Sequence, residues 1–156
     1  MYKFRVYCAS GWFTDNQKDT YEKLSQILHA YPEFDVFYPK SESKELQSTL
    51  HLPATREEIF NRNLRGMAEA DLVVCSTEDK DTGSIFEAGF SHAMRKPIIY
   101  VNFHLGKAPF NLMLTESSLA VARDANTFER ILQRILEIGW IDRIAFAEFR
   151  KEDSAV

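Results

Sequence analysis

Apolar residues along the chain fall into five short runs, separated by stretches where they recur every three or four positions. The runs cover residues 3–9 (KFRVYCA), 34–38 (FDVFY), 71–76 (DLVVCS), 97–102 (PIIYVN) and 118–122 (SLAVA). Several are apolar without clean alternation, the pattern of strands covered on both faces. Over residues 15–31, Tyr21, Leu24, Ile27, Leu28 and Tyr31 share one helical face, with Thr14 or Asp15 as the N-cap. Thr55 and Glu58 form a capping-box pattern for a helix over 56–69, and Asp81 precedes one over 83–95. Phe128, Ile131, Leu132 and Ile135 stripe a further helix over 126–138, which stops at Gly139. Strand alternating with helix predicts one α/β domain over residues 1–156, with no repeat or linker to divide it. The expected architecture is a doubly wound, five-stranded parallel sheet in the flavodoxin-like order 2-1-3-4-5, with helices on both faces. Residues 150–156 read as a frayed tail.

That topology predicts where a ligand would sit. In such sheets the crevice lies beyond the carboxyl ends of the strands, where the strand order reverses, here between strands 1 and 3. The turns over residues 8–14 and 77–83 should face it, as should the polar segment over 39–54. That last segment is longer than a packed connection needs, which fits a lid or pocket wall and equally a mobile surface loop.

Composition narrows the partners. The 156 residues include 45% hydrophobic and 27% charged residues, with a formal charge of −4. No basic stripe is present, which argues against a nucleic acid polymer or an anionic membrane as partner. Cys8 and Cys75 sit in apolar runs, so both are expected to be buried and reduced. With neither a signal-peptide stretch nor an apolar run approaching a membrane span, the expected location is the cytoplasm.

The segment DKDTGSIFEAGFSHAMRKPIIYV, residues 79–101, carries the sharpest chemistry. Glu87 is the only carboxylate among Ile85, Phe86, Ala88, Gly89, Phe90, Ala93 and Met94, and Gly83, Ser84 and Ser91 leave space on its face. This fits a ligand-facing carboxylate, and also an exposed helix glutamate. Asp81 fits an N-cap and the mouth of the crevice. Tyr7 fits a core ring, or a hydroxyl that reaches Glu87. Asn63 borders the stripe Phe60, Leu64, Met67, where it would contact backbone or look into a pocket, and Asn111 and Met113 read as the start of a helix or turn. His29, His51, His92 and His104 lack metal-ligand spacing, and there is no CxxC, G-x-S-x-G, Walker loop or GxGxxG, so no metal or cofactor is expected. Where a phosphate cradle often sits, this chain has Gly11-Trp12-Phe13.

Three stretches, YCASGWFTDNQKDTY, DTGSIFEAGFSHAMRKPII and NLM at 111–113, together resemble the signature stretches of nucleoside 2-deoxyribosyltransferases. The resemblance runs from residue 6 to about residue 114. It implies that Glu87 attacks C1′ of a 2′-deoxynucleoside, holds the deoxyribosyl group covalently and yields it to a second base with overall retention. It also implies that Tyr7 hydrogen-bonds Glu87, and that Asp81 is a pocket carboxylate for base and sugar. Phe13 would wall the base, with Trp12 behind it, which accounts for aromatics where a free nucleoside has no phosphate to cradle. Asn111 would reach the 5′-hydroxyl in a neighbouring subunit's site. The catalytic set is then Glu87, Tyr7, Asp81 and Asn63, and the substrate-binding set is Ser10, Gly11, Phe13, Gly83, Asn111 and Met113. Partners would be deoxynucleosides, free nucleobases and further copies of the chain, in a hexamer of paired subunits.

Two departures stand out. The family pattern N-D-L-x-G reads Arg62-Asn63-Leu64-Arg65-Gly66 here, and an asparagine cannot protonate a leaving base. The aromatic tail of some members is replaced by Arg150-Lys151-Glu152-Asp153-Ser154-Ala155-Val156. The middle stretch is closest to purine-preferring members. Competing readings are a hydrolase of deoxynucleosides or their 5′-monophosphates, and a non-catalytic nucleoside-binding module. Trp12-Phe13 argues against a phosphate loop, although Ser10 would suit one, and intact Glu87 and Tyr7 argue against a binding module.

Overall fold

Side chains alternate across a pleated strand, so an apolar run buried on both sides feeds two cores at once. The computed structural model, which describes residues 3–150 and the backbone of residues 154–155, has this arrangement. Its strands are β1 (Phe4–Ala9), β2 (Phe34–Phe37), β3 (Leu72–Ser76), β4 (Ile98–Val101), β5 (Phe110–Asn111), β6 (Ala120–Ala122) and β7 (Ser154–Ala155). The helices are α1 (Asp15–His29), α2 (Pro39–Glu42), α3 (Pro53–Glu69), α4 (Thr82–Ala93), α5 (Leu112–Ser117) and α6 (Ala125–Ile138). Short 3-10 turns lie at Lys44–Thr49, Glu78–Lys80 and Ile144–Arg150.

Five parallel strands pair in the order β2-β1-β3-β4-β6, so the α/β class is as predicted. The two-residue β5 comes between the predicted fourth and fifth strands, which makes the far edge strand sixth in the chain. Phe4, Val6, Cys8, Leu72, Val74 and Val101 face a core shared with Leu24 and Leu28 of α1 and with Phe128, Ile131, Leu132 and Ile135 of α6. Tyr7, Ala9, Val73, Cys75 and Tyr100 face the opposite core, built with Met67 of α3 and Ala88 of α4. Both cysteines are free and buried. No helix among the described residues is long and apolar enough to cross a membrane.

The helix starts show where local signals win and lose. Of the two candidate caps for α1, Thr14 takes the role, and Gln17 completes a capping box with it. The box predicted at Thr55 and Glu58 does not form. Pro53, whose fixed φ suits a first helical turn, starts α3 three residues earlier, after Leu52. Thr55 instead donates to Thr49 Oγ1 at 3.0 Å, and Glu58 accepts from Arg62 Nε at 2.8 Å. The segment predicted as a polar loop over 39–54 contains α2 and a 3-10 turn, tied down where Arg62 donates to the Glu42 carbonyl at 3.0 Å and to Glu45 at 2.5 Å. At the other end of the chain, β7 runs parallel to β5, with Ser154 opposite Phe110, where a frayed tail was expected. The exposed edge of β5 offers backbone groups that a passing segment can pair with. Residues 151–153 and 156 of that predicted tail lie outside the described residues.

Candidate active site

β1 and β3 are neighbours, with Tyr7 opposite Val73 and Ala9 opposite Cys75, so the turns that follow them open on one crevice. Tyr7 points to the α3/α4 side, and its hydroxyl donates to Glu87 Oε1 at 2.9 Å. Asn63, on α3, donates from Nδ2 to the same oxygen at 3.4 Å. Oε2 of Glu87 takes no hydrogen bond among the described residues. Tyr7 is fully buried and stacks on Phe37 with ring centroids 5.3 Å apart. Gly66 makes room for this pair: a Cβ there would lie 3.1 Å from the Tyr7 ring and 3.2 Å from the Phe37 ring.

Opposing influences act on the Glu87 carboxyl. Burial raises its pKa most and the charge of Asp81 raises it further, while the hydrogen bonds from Tyr7 and Asn63 lower it. The balance is a value pushed up to about 7 from 4.5, so burial and the Asp81 charge outweigh the two donors. Burial and the Glu87 charge likewise hold the Tyr7 phenol well above its ordinary pKa, keeping it a neutral donor. Asn63 Oδ1 is buried without a hydrogen-bond partner among the described residues.

Asp81 caps α4, its Oδ2 accepting from Ser84 N at 2.8 Å and Ser84 Oγ at 2.7 Å. It also lies against the β1–α1 turn, since a Cβ on Gly11 would come within 3.1 Å of Asp81 Cγ. The turn before it, Thr77–Lys80, places Asp79 (φ 52°) and Lys80 (φ 55°) in the left-handed region. Ser10 is buried and donates to the Gly11 carbonyl at 3.1 Å. Phe13 lies on the open side of the turn, 71% exposed, its ring 5.4 Å from that of Trp12. Gly83 lies beside Asp81, where a Cβ would meet Oδ2 at 3.5 Å.

Glu87, Tyr7 and Asn63 are therefore brought into contact, and Asp81, Gly11 and Gly83 adjoin one another. Asn111 and Met113 are placed elsewhere. Asn111 caps α5 by accepting from Leu114 N at 3.3 Å, and both line a separate cavity of about 520 Å³ with Thr77, Ile85 and Phe110. Sequence reasoning missed three supports. Gln17 was legible as the fourth residue of a T-x-x-Q cap. Phe37 and Glu78 carried no local signal. Glu78 is buried in a polar stretch, where it accepts from Thr20 Oγ1 at 2.7 Å and from Phe103 N at 2.5 Å.

A carboxylate with one oxygen held by a neutral phenol and the other open is arranged as a nucleophile towards an electrophilic carbon. Known proteins resemble this chain in both sequence and fold. The family model for nucleoside 2-deoxyribosyltransferase matches residues 6–128. A nucleoside deoxyribosyltransferase of Lactobacillus leichmannii is 27% identical over 126 residues, covering 72% of this chain and 80% of that one. The solved 2-deoxyribosyltransferase of Bacillus psychrosaccharolyticus matches with a TM-score of 0.71 and 27% identity, covering 80% of this chain and 90% of that one. A CMP N-glycosidase of Clostridium botulinum shares the fold, with a TM-score of 0.53 and 17% identity over 83% of this chain and 97% of that one.

Proposed function

The chain belongs to the nucleoside 2-deoxyribosyltransferase family and is an enzyme, and on that premise we propose that it exchanges the base of a 2′-deoxynucleoside through an ester on Glu87. Glu87 Oε2 attacks C1′ as the C1′–N bond breaks, and the bond's electron pair leaves with the base. The sugar is then held through an O–C1′ bond. A second base attacks the same carbon from the vacated face, and the ester electrons return to Glu87. Two inversions give overall retention, as in retaining glycosidases. The observation that carries this reading is the Tyr7–Glu87 hydrogen bond at 2.9 Å, which fixes the carboxylate while leaving its other oxygen open.

The remaining side chains take roles consistent with their placement. Phe13 and Trp12 form the wall for the base, and the backbone of Ser10, Gly11 and Gly83 borders the sugar. Asn63 steadies Glu87. An amide is no acid, so the departing base takes its proton from water, which the Asp81 carboxylate orients. The unpartnered Oδ1 of Asn63 is free to accept from a hydroxyl or amino group of the substrate. Asn111 and Met113 complete the site of an adjacent chain in a homo-oligomer, a hexamer of three dimers. Two features support such an assembly: Met113 is 75% exposed, and Phe60, Phe86 and Phe90 form an aromatic row on the outer surface of α3 and α4. Salvage of deoxynucleosides in the cytoplasm, with a leaning towards purines, is the corresponding biological role.

The test is to incubate the protein with deoxyadenosine, with and without cytosine or hypoxanthine, and to separate the products by chromatography. A new deoxynucleoside supports transfer. Free deoxyribose alone would replace transfer with hydrolysis, and no product would leave a binding module. A light-scattering mass equal to one chain would remove Asn111 and Met113 from the site.

A further inference from the structure

A buried amide ties the turn that carries Phe13 to the turn that precedes α4. Gln17 is 4% exposed, and its Oε1 accepts from Phe13 N at 2.9 Å and from Thr14 N at 3.3 Å. From the other end of the amide, Nε2 donates to the Glu78 carbonyl at 3.2 Å, at the start of the left-handed turn that ends in Asp81. Gly11 is the space this amide occupies: a Cβ there would lie 2.6 Å from Gln17 Oε1. Further ties join the same two segments, since the Asp79 carboxylate accepts from the Thr14 hydroxyl and from Asn16 Nδ2.

Phe13 has little else to hold it. Its ring leans on Trp12 and is otherwise open to solvent, so its place is set by its backbone rather than by a core around it. An aromatic wall in that situation is only as well placed as its main-chain N–H. We propose that Gln17 is a positioning residue: it holds Phe13 in register with Asp81 and so sets how tightly the site takes a free base. This rests on the reading of Phe13 as the base wall, and it adds a residue that touches no substrate.

The test compares Gln17→Met, Gln17→Glu, Phe13→Ala and the double variant Gln17→Met/Phe13→Ala in transfer assays that vary the acceptor base. Methionine keeps the volume and loses all three hydrogen bonds, and one buried bond acting on base placement corresponds to about a tenfold change. The expected result is an acceptor KM raised about tenfold in Gln17→Met, with kcat at saturating base within about threefold of the parent. Glutamate still accepts from Phe13 N but sets its second oxygen against the Glu78 carbonyl, so Gln17→Glu should recover only part of that loss, and it gives a second variant should the methionine one fold poorly. In the Phe13→Ala background, Gln17→Met should add less than about twofold, because the wall it positions is gone. A full tenfold loss in both backgrounds, or an unchanged acceptor KM, overturns the proposal.

A parallel titration reads base binding without turnover. Adenine quenching of Trp12 fluorescence is followed in a Trp140→Phe background, Trp140 being an exposed residue outside the site. The same roughly tenfold weakening by Gln17→Met is expected there. A protein that binds adenine in this Gln17-dependent way and transfers nothing would sink the transferase reading and leave the positioning role standing. Wild-type protein that neither binds adenine nor transfers deoxyribose overturns both.

Discussion

The two sides of the crevice are built in opposite ways. On one, Glu87 is gripped by Tyr7 and Asn63, Tyr7 is stacked on Phe37, and Gly66 lets α3 press against both rings. On the other, Phe13 lies largely in solvent. The contrast fits the proposed division of labour. A nucleophile must meet C1′ along one line, so its side chain is fixed before substrate arrives. A wall that must serve a departing base and a different incoming one gains from being open. On that proposal, rigidity is concentrated where bonds change, and exposure where the ligand changes.

The sharpest way to break the comparison is to empty its rigid side. Glu87→Ala should lower deoxynucleoside turnover by at least about 10⁴-fold in the chromatographic assay, as expected when a covalent nucleophile is removed. Tyr7→Phe should follow with a loss of about 10- to 100-fold, the usual worth of a hydrogen bond to a charged group. The same variant tests the electrostatics. Attack needs ionised Glu87, whose pKa lies at about 7, so the rate should climb with pH through about 7 and level off above it. Without the phenol donor, which lowers that pKa, the rising limb should move to higher pH.

On the open side, Phe13→Ala should raise the acceptor-base KM by about five- to tenfold while leaving the melting temperature within about 2 °C, because so exposed a ring adds little to the fold. A smaller effect, of the opposite sign, concerns stability. The folded protein holds the Glu87 proton more tightly than the ordinary value of 4.5. The stabilisation from that protonation is present below about pH 4.5 and lost as pH rises through about 7. Glu87→Gln should therefore melt about 3–6 °C above the parent at pH 8 and about level with it at pH 4, by calorimetry at both pH values. Smallest of all, Asn63→Asp should retain or modestly raise turnover at pH 6, within about threefold, since an acid there regains a proton to offer the leaving base.

How much of this was readable beforehand divides along physical lines. Apolar runs and helical stripes are local signals, and they placed the strands of the sheet and put Glu87 on a helix facing the crevice. Tyr7, Glu87 and Asn63 were each singled out with two readings open, because contact across 80 residues of chain, as between Tyr7 and Glu87, leaves no mark in spacing. Thr55 and Glu58 mimicked a capping box that Pro53 pre-empted. The 39–54 segment looked unstructured because its order comes from Arg62, which reaches back from α3. Glu78 resembled its solvated neighbours, yet its partners lie on α1 and after β4, so only the assembled sheet reveals it. Gln17 needed no tertiary knowledge as a cap, but its second bond, to the Glu78 carbonyl, did.

The two-faced alternation of β1 and β3 has a practical corollary. Tyr7 and its companions belong to one layer, whereas Leu24, Leu28, Ile131 and Ile135 fill the other with close-packed aliphatic side chains. An engineer seeking heat tolerance can repack that second layer away from the Gln17 end of α1, with the sheet lying between the repairs and Glu87.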